Sequence, residues 1–150
     1  MSVSIMERAE KAEQMLYESN EVGFEMRKAQ MYSLIENDNE VSMTLAGESG
    51  DVYDLIMSRD ARQVARVSDF IAIVTCGWAS PRDNSDDDNE IAPSQHPQRR
   101  RVRLLVLVGQ DGMASCLRFS DTPDEVITDN GTATGTLATA LHDLLMEAKS

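Results

Sequence analysis

The chain has few cysteines and few aromatic residues: two cysteines, one tryptophan and an aromatic fraction of 5% in 150 residues. Cys76 and Cys116 both lie in apolar runs. A disulfide scaffold in a secreted protein usually has more cysteines, placed in polar and loop-rich surroundings. We therefore expect two buried free thiols, because a free cysteine packs as a small hydrophobic residue.

Long apolar segments are also missing. The sequence contains no run of about 18 apolar residues, so no transmembrane helix is predicted. The first ten residues lack a basic stretch followed by an apolar one, so no secretory leader is predicted. The expected location is therefore cytoplasmic, with no association with a membrane.

Basic residues are scarce, with 14 lysines and arginines against 26 acidic residues and a net charge of −12. This balance favours solubility and repels nucleic acids and anionic membranes as global partners. The local exception is a cluster formed by Arg99, Arg100, Arg101 and Arg103.

Hydrophobic periodicity predicts helices at both ends of the chain and in its middle. Ile5, Ala9, Ala12 and Leu16 share one face of a first helix. A second helix, or its continuation, is expected from Phe24 to Ile35. Further helices are predicted over 51–66, with Ser49 or Asp51 as the N-cap, and over 136–148.

Strands are predicted where β-branched and apolar residues concentrate. Residues 41–45 alternate as a short strand before a turn at 47–50, and 70–78 and 102–108 are apolar on both parities, which is typical of central strands covered on both faces. An Asp-Gly turn at 111–112 then predicts a hairpin with a strand over 113–119.

These elements predict a single α+β domain spanning residues 1–150. It has a helical N-terminal part over about 1–66, and a sheet with a C-terminal helix over about 69–148. The expected core is an antiparallel sheet of three or more strands, packed by the N-terminal, middle and C-terminal helices.

The segment between the two apolar strands, 79–101, carries the densest chemistry. It has five acids between Asp83 and Glu90, which favour a solvated stretch through like-charge repulsion. The acids do not match a calcium-binding loop, because the twelfth position counted from Asp83 is Ser94 rather than glutamate. A connection of this length within a compact domain is usually functional or disordered.

Catalytic chemistry finds little support in the sequence. His96 lacks further ligands at metal-binding spacing, the other histidine is His142, and no Cys-x-x-Cys pair exists, so no metal or cofactor is predicted. The remaining arrangement is a hydrolase-like or metal-dependent enzyme centred on Cys76, Ser94 and His96.

The arginine cluster allows two interpretations. The guanidinium groups of 99–101 bind phosphate or an acidic partner, or they neutralise the protein's own acidic groups. Trp78, the single tryptophan, is either a core anchor at a strand end or part of an interface.

Three short segments carry a family resemblance: Gly77-Trp78-Ala79, residues 93–97 from Pro93 to Pro97, and residues 100–103. In these segments the C-terminal half is similar to small uncharacterised proteins of actinobacteria and their phages. The resemblance implies no mechanism and assigns no catalytic residue.

The sequence favours a non-catalytic interaction or regulatory protein that uses the segment 78–103, with a protein partner or self-association. Enzymatic activity at Cys76, Ser94 and His96, and binding of nucleic acid or phosphate through Arg99–Arg103, are the alternatives. The predicted binding residues are Trp78, Ser94, His96, Arg99, Arg100, Arg101 and Arg103.

Overall fold

The structure, a computed structural model, describes residues 5–19, 28–37, 40–79, 100–110, 112–122, 125–128 and 136–150. These residues form the following helices and strands in chain order: α1 Ile5–Ser19, β1 Ala29–Asn37, β2 Glu40–Ser49, α2 Val52–Ile56, α3 Arg59–Val67, β3 Phe70–Ala79, β4 Arg100–Gly109, β5 Gly112–Phe119, β6 Val126–Thr128 and α4 Thr136–Lys149.

The strands form one antiparallel sheet of six strands in the order β2-β1-β3-β4-β5-β6. From β3 onward each strand pairs with its successor. β1 is inserted between β2 and β3, so the chain crosses from β2 over β1 to β3 through α2 and α3. The α+β class predicted from the sequence is confirmed.

Helices cover both faces of this sheet, as the apolar central strands predict. We call the two faces the α1 face and the α4 face. On the α1 face, Ala9, Ala12 and Leu16 of α1 pack in one cluster with sheet residues such as Ala72 and Leu107. On the α4 face, helices α2, α3 and α4 pack against the other side of the same strands.

Strand β3 lies at the centre and is buried on both sides. Four consecutive residues, Ile71, Ala72, Ile73 and Val74, each have 0% exposure. Because successive side chains of a strand point to opposite faces, this run contributes two residues to each core. The C-terminal helix contributes Leu141 and Leu145, both 0% exposed, to the α4 face.

The predicted helix through Met31, Leu34 and Ile35 is wrong, because these residues lie in β1. Its helical spacing also fits a strand with two buried faces: Met31 joins the α4-face core and Leu34 the α1-face core. Pairing with β2 and β3 on both sides overrides local helix propensity. The N-terminal part of the domain is therefore not wholly helical, and Phe24 lies outside the described residues.

The predicted middle helix is two helices. The Asp51 carboxylate accepts hydrogen bonds from the backbone N–H groups of Tyr53 and Asp54, which confirms it as the N-cap of α2. The Ser58 hydroxyl accepts from the N–H of Ala61 and starts α3. This second cap breaks the helix that periodicity alone predicts, since it offers the backbone a non-helical alternative. The turn predicted at 47–50 is shorter, because β2 runs to Ser49.

The hairpin of β4 and β5 is confirmed, with Gly109 directly opposite Gly112. A Cβ atom on Gly109 would lie 2.7 Å from two ring carbons of Phe70, so this glycine permits a close approach of the ring to the backbone. Strand β6, three residues long, was not predicted.

We expect Leu141→Ala to lower the free energy of unfolding by about 2–5 kcal/mol, because it leaves a cavity in the α4-face core. Thr139→Ala, an exposed change on the same helix, should change it by less than about 0.5 kcal/mol. Urea denaturation of both variants measures the difference. Equal losses would contradict the assignment of this helix face to the core.

Candidate functional site

Strand alternation separates the arginines that the sequence clusters. Residues 100–103 lie in β4, where successive side chains point to opposite faces of the sheet. Arg103 shares its face with Leu105 and Leu107, which belong to the α1-face core, and Arg101 has the same parity. Arg100 has the opposite parity. Adjacent in sequence, these side chains do not form one continuous surface.

Arg100 is held at the surface by a neighbouring acid and an aromatic ring. Its Nη2 lies 2.6 Å from Oδ1 of Asp121, and its Nε lies 2.9 Å from Oδ2 of the same carboxylate. Its guanidinium also stacks 3.9 Å from the centroid of the Phe119 ring. The hydrogen bond to Asp121 raises the pKa of Arg100, and the same bond lowers the pKa of Asp121. This contact agrees with the interpretation in which an arginine neutralises the protein's own acids.

Arg103 lies in a buried ion cluster with Glu13 and Arg118. All three residues are only 1–2% exposed. The Arg103 Nη2 lies 2.8 Å from Oε2 of Glu13. The Arg118 Nη2 lies 2.6 Å from Oε1 of the same carboxylate. Each guanidinium also donates its Nε–H to the oxygen it pairs with. The single Glu13 carboxylate therefore binds both arginines, each through two hydrogen bonds.

Arg103 and Arg118 are directly opposite each other on β4 and β5. Like charges directly opposite on a sheet are destabilising, and Glu13 from α1 bridges them. Gln14 accepts a further hydrogen bond from Arg118 at 3.1 Å, and the Tyr17 ring stacks on Arg118 with 3.9 Å to its centroid. Arg103, one of the predicted binding residues, is thus an internal residue.

Sequence patterns contained part of this cluster. In the strand predicted over 113–119, alternation places Arg118 on the same face as Ala114 and Cys116, which is apolar. Glu13 lies four residues after Ala9, on the buried face of α1. A charged residue on each of two apolar faces is the signal for a buried pair, since charges are rarely buried without a partner.

The proposed Cys76, Ser94 and His96 arrangement is described only at its first member. Cys76 is half-buried near the end of β3, directly opposite Arg103, and Cys116 is buried; the two cysteines form no disulfide bond. Ser94, His96 and Arg99 lie outside the described residues. The backbone of Trp78 pairs with that of Arg101.

Neither a cluster of metal-ligating side chains nor a membrane-spanning helix is found in the part of the chain that the structure describes. No group of three or more histidine, cysteine, aspartate or glutamate side chains there is arranged to hold a metal ion. None of the described helices is long and apolar enough to span a membrane.

Strand β2 is the longer of the two edge strands of the sheet among the described residues. It has ten residues, pairs with β1 on one side, and has no strand beyond it in the sheet order. Its exposed residues include Ser42, Thr44 and Leu45, the last with 49% exposure. The opposite edge of the sheet, β6, has three residues. Sequence reasoning missed this surface because it did not give β2 an edge position.

A cleft of about 270 Å³ opens beside the C-terminal end of β2, on the α4 face of the sheet. We call it the α2/α3 cleft. Its apolar part contains Met31, Leu55 and Ala61. The other residues that line it are Ala46, Gly47, Glu48, Ser49, Asp54, Ser58 and Asp60. The cleft is therefore continuous with the open strand and has acidic but no basic residues in its lining.

Comparison with known proteins adds no further constraint. No protein-family model, no curated protein and no solved structure matches the chain. Functional inference therefore depends on the geometry of the residues described above.

We predict that Glu13→Gln lowers the free energy of unfolding by about 3–5 kcal/mol, because it leaves two buried guanidinium groups opposite each other without their carboxylate. The measurement is urea denaturation at neutral pH. Glu10→Gln, at an exposed position of the same helix, is the matched control. A triple replacement, Glu13→Leu with Arg103→Met and Arg118→Met, should recover most of the loss, since apolar packing often replaces a buried ion cluster at little cost.

The Arg100–Asp121 pair predicts a pH dependence of stability. The pKa of Asp121 is lower in the folded chain than its ordinary value of 3.8. The contribution of Asp121 to the free energy of unfolding is therefore fully present at pH values above its ordinary pKa, and it is lost as the pH falls through the folded pKa. NMR titration should find the Asp121 carboxyl titrating below 3.8 in the natural chain and near its ordinary value in Arg100→Gln. Identical titration curves in both would contradict the pairing.

Proposed function

We propose that this chain is a non-catalytic interaction protein that binds an extended segment of a partner along edge strand β2. The observation that carries the proposal is the open edge of β2, together with the half-exposed Leu45 on its α1 face. In this binding mode the partner backbone continues the hydrogen-bond ladder of the sheet, and its alternate side chains provide specificity.

Natural edge strands are usually protected against added strands. The common devices are short length, charged side chains (lysine above all), proline, bulges and covering elements. The charged side chains of β2, Glu40 and Glu48, lie near the two ends of the strand. β2 is ten residues long and contains neither lysine nor proline. Its one irregularity is a register shift opposite Met31 and Tyr32, near the C-terminal end of the strand. The stretch from Val41 to Leu45 is regular, and its outer N–H and C=O groups pair with no strand among the described residues.

The apolar row on β2 supports the same function. Val41 and Met43 pack partly against the α1-face core, and Leu45 continues their row towards solvent. An added strand would place every second side chain beside this row. Burial of apolar area against Leu45 would supplement the main-chain hydrogen bonds, at roughly 25 cal/mol per Å² removed from water.

A second candidate surface is the segment 78–103, which the sequence favours. Ala79 and Arg100 form the last pair of β3 and β4, so the intervening residues leave and return at the same end of the two central strands. Because Arg100 and Arg103 are engaged with Asp121 and Glu13, binding of nucleic acid or phosphate through Arg99–Arg103 has less support than protein binding. The enzyme alternative rests on Ser94 and His96, outside the described residues.

The proposal is tested by selecting a displayed library of random ten-residue peptides, the length of β2, against the immobilised chain. Two variants, Thr44→Pro and Leu45→Pro, are then challenged with the selected peptides. Successive N–H groups of an edge strand alternate between the sheet and the open side. One of the two prolines therefore removes an N–H group that points to the open side and leaves the hydrogen bonds to β1 intact. The other removes an N–H group that bonds to β1 and disrupts folding.

We expect the variant that keeps its urea transition to lose binding of the selected peptides by about tenfold or more. A third variant separates the two surfaces by replacing residues 80–99 with Asn-Gly, which suits a hairpin between directly paired strand ends. Binders that survive this replacement use β2, and binders lost only with it use the segment 78–103. A selection that yields no peptide sensitive to the tolerated proline would refute the β2 proposal.

A further inference from the structure

We propose that the segment bound by β2 is basic, with a lysine or arginine seated in the α2/α3 cleft and apolar residues beside Leu45. This inference rests on the proposed function and names the chemical class of the partner. It combines three observations: the open edge, the two different faces that the edge presents, and the sign of the charge around it.

An added strand would meet different chemistry on its two faces. On the α1 face its neighbours are Val41, Met43 and Leu45, the apolar row of β2. On the α4 face its neighbours are Ser42 and Thr44 and, at the C-terminal end of β2, the α2/α3 cleft, where Asp54 and Asp60 line the wall. Because strand side chains alternate between faces, the expected partner sequence places apolar residues on one face and a basic residue at the cleft on the other.

The α2/α3 cleft has the shape and lining that a long cationic side chain requires. Its volume of about 270 Å³ exceeds that of one side chain, and Met31, Leu55 and Ala61 provide apolar contact. Lysine and arginine bury their aliphatic stems on apolar surface while the charged head stays near water or an acid. Asp54 and Asp60 are exposed, so their carboxylates remain accessible to such a head.

Charge around the edge strand favours the same partner. Glu40 and Glu48 are exposed near the two ends of β2, and the chain as a whole carries −12. Within the described part of the chain, the acids that form ion pairs are Glu13, Glu36, Asp121 and Glu147. None of them involves an acid of β2 or of the cleft. Complementary charge steers association and selects against acidic partners.

A second copy of this chain is a poorer occupant than a basic segment. An antiparallel pairing of β2 with itself would bring Glu40 and Glu48 of both copies to one interface. The net charge of −12 on each copy adds a longer-range repulsion.

The test uses the full chain and the peptide library described above, read out by sequencing the selected peptides. We expect alternating apolar residues with lysine or arginine enriched at one fixed position. A selected basic peptide should bind Asp54→Asn/Asp60→Asn about five- to tenfold more weakly. Asp143→Asn, at an exposed position of α4 outside the cleft, should bind it unchanged.

A reciprocal selection provides the second arm. Against Asp54→Lys/Asp60→Lys, whose fold is checked by its urea transition, the library should yield glutamate or aspartate at the same position. Peptides that need the open edge of β2 but show no charge preference would overturn this inference and leave the proposed function standing. Absence of any β2-dependent peptide would overturn both. Concentration-dependent dimerisation of the chain, abolished by the tolerated proline, would identify a second copy as the occupant instead.

Discussion

The carboxylate of Glu13 holds the structure of the α1 face together. Two arginines lie side by side on adjacent central strands, an arrangement that a sheet does not tolerate without a counter-charge. That counter-charge comes from helix α1, which lies and is rotated so that Glu13 reaches both arginines. Ala9, Ala12 and Leu16 point into the core on the same side of the sheet. Helix α1 thus meets the sheet through one buried anion as well as through its apolar face.

The two ends of the sheet differ in how they are protected. Towards β6 the edge is short, and α1 packs closely against β4 and β5. Towards β2 the edge is long, and the covering helices α2 and α3 leave a cleft at its end. Long open edges promote aggregation, so a chain that did not use this strand for binding would be expected to protect it. This asymmetry makes β2 the edge of the sheet that is suited to binding another strand.

The parts of the fold that depend on short-range patterns were predictable from the sequence. The apolar parity of 70–78 and 102–108 and the Asp-Gly turn gave the central strands, and the four-residue spacing of α1 and α4 gave two helices. β1 was mistaken for a helix because its apolar residues, Met31, Leu34 and Ile35, satisfy a helical period as well as two buried strand faces. Which period applies depends on β3, some forty residues later in the chain, and no local window contains that information.

The candidate sites were likewise predictable only in the parts that depend on short-range patterns. The arginine cluster was visible as composition, but only the alternation within β4 shows that Arg100 and Arg103 face opposite sides. The open edge of β2 had no sequence signature, because being an edge is a property of the strand order and not of the strand. Proximity between β2, α2 and α3 likewise follows from the crossover to β3. Sequence reasoning therefore predicted the elements better than the surface they form together.

The Glu13 cluster also has a consequence for the order of events during synthesis. Glu13 is joined to residues 90 and 105 positions later in the chain. At roughly 5–20 residues per second, a ribosome takes about 5–20 s to deliver the second arginine after the glutamate. During that interval α1 has been made with its apolar face and its acid, but the pair of arginines that binds the acid is incomplete. Helix α1 is therefore made well before it can reach its final place.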